Sequence, residues 1–140
     1  MTRHLETDVK SLGRPWALGV VLVAAFAVFG ELLLVFDDYV FHRLGLNRNA
    51  LLLALWALPF IAAYVAARYS ETHKLLAGLS FLILFPVIGT AAHYLNGALG
   101  GTVDFAGLSG AAVTFRLYLA LGSVLVITGT LLGLLFSKQS

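Results

Sequence analysis

The chain has 140 residues, 60% of them hydrophobic and only 11% charged, against a charged share of about 25% in soluble domains. Nine Lys/Arg and seven Asp/Glu are too few to coat a water-soluble core of this size, so the composition points to lipid as the main solvent. The net charge of +2 is scattered between apolar segments and never forms a basic run, which excludes a nucleic-acid surface. With no cysteine, disulfides, thiolate metal sites and thiol nucleophiles are excluded as well.

In chain order, residues 1–15 read as a cytoplasmic arm, with "TRHLETDVKS" expected to be disordered. A bilayer core about 30 Å thick needs roughly 20 apolar residues in a helix. Four windows of that size follow, at 16–36, 50–67, 75–94 and 111–136, and 137–140 forms a short cytoplasmic tail. The first window is longer than the roughly 7–15 apolar residues of a signal peptide and no small-residue cleavage site ends it, so it reads as a retained span. Arg3, Lys10, Arg14, Arg68, Lys74 and Lys138 fall on one side of the four spans, against Arg43 and Arg48 on the other. The positive-inside rule then places both termini in the cytoplasm. The expected fold is an all-α, integral membrane four-helix bundle in a plasma or bacterial inner membrane. Pro59 and Pro86 fall near the middle of the second and third spans and predict kinks there.

The first loop, "DDYVFHRLGLNRN", reads as an extension of the first helix past the membrane as far as Gly45. The third loop, "NGALGGTVDFAGLSG", lacks the GxxxxGK[ST] pattern and a preceding strand, so it reads as a flexible connection and not as a phosphate cradle.

Charges inside or beside the spans are the candidate functional residues. At 100° per residue Glu31, Asp38 and His42 share one face within about 40°, and the stripe continues as Ala27, Ala24, Val20 and Ala17. On the fourth span, Ala112, Arg116, Ala120, Ser123, Ile127 and Thr130 form a second small and polar stripe. Glu31 and Arg116 both lie roughly 7–8 Å below the same membrane face at 1.5 Å per residue. An isolated ion in hydrocarbon costs at least about 2.5–3.5 kcal/mol, so the two are expected to form a buried ion pair. Asp38, His42, His93 and Asn96 complete a polar cluster near that face. A proton relay or metal site there is the lesser expectation, and an interfacial hydrogen-bonding role for His93 the greater one. Gly122, Gly129 and Gly133 lie about 120° from the Arg116 stripe and supply a close-packing face with a GxxxG pattern, "GTLLG".

No GxSxG, HExxH or SxxK pattern is present, so an enzyme is the least expected class. No cofactor is indicated; in particular no CxxCH accompanies the histidines. The first expectation is an accessory or assembly subunit of a larger membrane complex, with the ion pair fixing helix register and the glycine face docking to other subunits or to further copies. The alternative is an oligomeric small-solute or ion transporter or channel, with Glu31 as a proton- or cation-coupled carboxylate.

Overall fold

A computed structural model describes residues 2–100 and 107–138; part of the glycine-rich third loop lies outside them. The described chain is helical, with no strand. Its elements are α1 (Thr2–Val35), a π-helical turn (Asp38–Arg43), α2 (Arg48–Tyr69), α3 (Lys74–Leu79), α4 (Phe81–Ala98) and α5 (Gly107–Ser137). Four stretches are long and apolar enough to cross a bilayer: Gly13–Val35, Arg48–Tyr69, Lys74–Ala98 and Ser109–Ser137. The chain is thus an all-α membrane protein built as a four-helix bundle, and its spans lie within a few residues of the four hydropathy windows.

Local chemistry sets the ends of the spans. Residues 2–12 are helical instead of disordered, and the chain breaks from helical geometry at Gly13. Its φ of 68° suits a residue without Cβ, and Pro15 follows in the first turn of the span, where a missing N–H costs nothing. Gly45, with φ 66°, stops the π-helical turn where the sequence places the end. At the start of α2 the Asn47 side chain accepts the Ala50 N–H at 3.2 Å, the usual N-cap bond. At its far end the buried Ser70 hydroxyl donates to the Ala66 carbonyl at 2.6 Å, and His73 takes a left-handed conformation, φ 53°, to begin α3.

Pro59 and Pro86 are both buried inside their helices, which carry on past them. The third span is interrupted at Ser80, between α3 and α4. Ser80 keeps right-handed helical dihedrals, so the two pieces follow each other as one span. Its hydroxyl accepts the Trp16 indole N–H at 2.9 Å and donates to the Ala77 carbonyl at 2.8 Å, tying the start of α1 to this junction.

The helices form a ring in the order α1, α2, α5, α4: α2 packs against α1 and α5, and α4 against the same two. Consequently α1 and α5 face each other across a diagonal. Contact between α2 and α5 is the most extensive, because each offers a small-residue face. Ala62, Ala63, Ala66 and Ala67 on α2 are fully buried. A Cβ added at Gly129 would collide with the Phe60 carbonyl, and one at Gly133 with the Tyr64 carbonyl. Backbones that approach this closely gain dispersion contacts that bulkier residues would forbid. Val21, Leu53, Ile83 and Val124 point outward and are exposed, as a lipid-facing surface requires.

Candidate functional site

Near the middle of the bundle each span contributes one aromatic ring. Phe26 from α1, Trp56 from α2, Phe85 from α4 and Tyr118 from α5 form a closed group in which every pair of rings is in contact, at centroid separations from 5.0 to 6.2 Å. All six pairs are tilted or edge-on, the arrangement that ring quadrupoles favour. Gly122 and Gly89 make room for this layer: the first lies under Phe85, the second under Tyr118. All three glycines singled out on α5 therefore spend their packing capacity within the chain.

Above this layer, toward the π-helical turn, lies Glu31, only 9% exposed. Its partners come from α4. His93 Nδ1 is 3.0 Å from Glu31 Oε1, and the Asn96 amide donates to Glu31 Oε2 at 2.6 Å. An ionised carboxylate only accepts, so the tautomer that satisfies this contact is the one with its proton on Nδ1. His93 and Asn96 sit in the last turns of α4. One turn earlier, on the same face, the Thr90 hydroxyl oxygen is buried without a hydrogen-bond partner.

The expected Glu31–Arg116 pair is not formed. Arg116 is exposed and makes no ion pair with Glu31, whose ion-pair partner is His93. The cause is topological: equal depth brought the two charges to one level, but α1 and α5 lie on the bundle's diagonal. Tyr118 turns into the aromatic layer, and Arg116, two residues or about 200° away on the same helix, turns out of the bundle.

The rest of the expected polar cluster divides in two. His93 and Asn96 join Glu31. Asp38 and His42 form their own pair at 3.5 Å with side chains 82% and 75% exposed, an i,i+4 contact in water. Sequence reasoning missed Asp37, which pairs with Arg48 at 3.4 Å and ties the π-helical turn to the start of α2. The Arg48 guanidinium also lies 5.5 Å from the Phe41 ring centroid. At the opposite end of the bundle Arg68 bonds the Tyr64 hydroxyl and lies over the rings of Tyr64, Tyr69 and Phe136, an interfacial anchor.

Glu31 borders open space on both sides. A cavity of about 140 Å³ between α1 and α2 is lined by Phe26, Glu31, Asp37, Arg48, Trp56 and Tyr118 among others. The aromatic layer is its floor, and the more exposed Asp37–Arg48 pair stands nearer its opening. On the α4 side, a groove of about 280 Å³ runs past Glu31 and Asn96 between apolar residues such as Leu32, Val35 and Leu95. Among the described residues no group of three or more His, Cys, Asp or Glu gathers to hold a metal ion.

The aromatic layer was also missed by sequence reasoning. Its four rings carry no motif, and the only signal available was that each span holds an aromatic residue well inside its ends. Comparison of the chain with protein-family models, with curated proteins and with solved structures yields no match. The site geometry is thus the ground on which function is argued.

Proposed function

We propose that the chain is a small membrane transporter acting as an oligomer, with Glu31 as its proton- or cation-coupled carboxylate. One observation carries this reading: a nearly buried glutamate is held by a histidine and an asparagine, on the wall of a cavity. A guanidinium partner is always charged, whereas an imidazole has both a neutral and a charged form. Intramembrane ionisable groups of this kind mark ion and solute pathways by default. The four-ring layer closes the bundle axis below Glu31, so passage requires those rings to repack or a path between copies. The positive-inside bias supports cytoplasmic termini, and a plasma or bacterial inner membrane fits the span lengths.

Purified protein reconstituted in liposomes with an internal pH dye tests the proposal. Gradients of sodium, potassium or tetramethylammonium are imposed in turn. Wild type is expected to move protons against at least one of them, and Glu31→Gln, shown to be helical by circular dichroism, to move none. Wild-type liposomes that behave as empty ones with every cation, or a Glu31→Gln variant with full activity, would overturn it.

A second reading, an accessory or assembly subunit of a larger complex, draws support from Arg116. An arginine exposed on a membrane-spanning helix is expensive unless it reaches a headgroup or an acidic partner. The α5 glycines no longer favour docking, since their neighbours are Phe60, Tyr64 and Phe85 of the same chain.

A further inference from the structure

Resting on the transporter reading above, the geometry points to a small organic monocation, an ammonium carrying methyl or other short alkyl groups, as the ligand of the cavity beside Glu31, and to His93 as the group whose protonation releases it.

The cavity shows its own preference at its outer part. There a planar organic cation, the Arg48 guanidinium, is held by a carboxylate, Asp37 at 3.4 Å, and by a ring, Phe41 at 5.5 Å. The inner part offers the same two elements in greater number. Glu31 supplies the carboxylate, and Phe26, Trp56 and Tyr118 supply rings. Rings around a desolvated cation attract it through their quadrupoles, and alkylated ammonium ions gain most because they shed water easily. Bare sodium or potassium would need several oxygen ligands instead, and rings do not provide them.

Charge and size agree with this class. Arg48 and Asp37 neutralise each other, which leaves Glu31 as the one uncompensated charge in the lining while His93 is neutral. The side chains of His93 and Asn96 occupy one site on each carboxylate oxygen, and a carboxylate has about four such sites. A cavity of about 140 Å³ is close to the roughly 150 Å³ that accommodates a benzene-sized guest. Tetramethylammonium is a compact, near-spherical ion of roughly benzene size, so the space suits it.

Release follows from charge balance. The titratable or charged groups around the site are Glu31 and Asp37 beside α1, Arg48 on α2, His93 on α4 and Tyr118 on α5. When His93 takes up one proton the Glu31–His93 pair becomes neutral, the site loses its single negative charge, and one monocation leaves. Proton and cation exchange one for one, without net charge movement.

The test uses Trp16→Phe protein, which leaves Trp56, in the cavity wall, as the sole tryptophan. Tetramethylammonium chloride is titrated against sodium chloride at matched ionic strength, and Trp56 fluorescence is read at pH 8 and pH 5.5, with isothermal calorimetry on wild type as a check independent of the Trp16 change. A saturable tetramethylammonium response is expected, at least about tenfold weaker at pH 5.5, and weakened at least about tenfold by Tyr118→Leu. His93→Gln should lose the pH dependence of binding, the ratio of affinities at pH 8 and pH 5.5 falling to about one. Equal responses to the two salts, or binding unchanged by pH in wild type, would overturn the proposal. If tetramethylammonium fails to bind while sodium or potassium still drives protons, the organic-cation assignment falls and the transporter reading stands. If tetramethylammonium binds in this pattern but protons move against no gradient, the site stands and the transporter reading falls.

Discussion

The two ends of the bundle are built differently. Toward Trp16, Arg68 and Ser80, glycine and alanine let backbones touch: Gly129 and Gly133 meet carbonyls of α2, Gly78 meets Thr130, and Gly19 meets Phe81. Toward Glu31 the helices part around a cavity, and polar groups collect on its walls. The aromatic layer is the boundary. Small residues on facing helices give close packing and leave no volume for chemistry, whereas four large rings at one level hold the spans apart and create room beyond them. Stability is thus concentrated at one end and adaptable polar chemistry at the other.

The largest expected effect breaks the packed end. Gly129→Leu places a side chain against the Phe60 carbonyl, a backbone atom that cannot rotate away, and should cost about 3 kcal/mol or prevent folding; thermal unfolding in mild detergent measures it. Next, Glu31→Ala leaves His93 and Asn96 without their acceptor and should cost about 1–3 kcal/mol, with Glu31→Gln milder because its amide can still bond one of them. A smaller change is expected for Arg116→Gln, within about 0.5 kcal/mol in detergent, since Arg116 is exposed and has no hydrogen bond or ion pair among the described residues; a large loss there would return Arg116 to the site. Smallest of all, Asp38→Asn should shift the unfolding midpoint scarcely at all, because its His42 pair is exposed and such pairs contribute a few tenths of a kcal/mol.

The spans and the placing of the polar level were legible in the sequence because both follow from one-dimensional quantities. Hydropathy sets where a helix enters lipid, and the rise per residue sets depth, so the shared level of Glu31, His93 and Asn96 follows from the sequence without any knowledge of packing. What a single helix does not encode is which neighbour stands beside it. The stripe on α5 marked by Arg116 was small and polar enough to face protein, yet the glycine face of the same helix won the interior because backbone contact with α2 gains more. The aromatic layer was hidden for a related reason: Phe26, Trp56, Phe85 and Tyr118 are ordinary lipid-compatible residues until four helices bring them to one level. The helical geometry of residues 2–12 also escaped, since a polar composition marks exposure better than it marks disorder.

Glu31 is coupled to His93 across α1 and α4 and not to Arg116 across the diagonal. Two double-mutant cycles on thermal unfolding in detergent, Glu31→Gln with His93→Gln and Glu31→Gln with Arg116→Gln, test it most directly. A coupling of about 1 kcal/mol or more is expected in the first cycle and additive effects within about 0.5 kcal/mol in the second. Additive losses for Glu31 with His93, together with recovery of stability in the Glu31–Arg116 double variant, would contradict it.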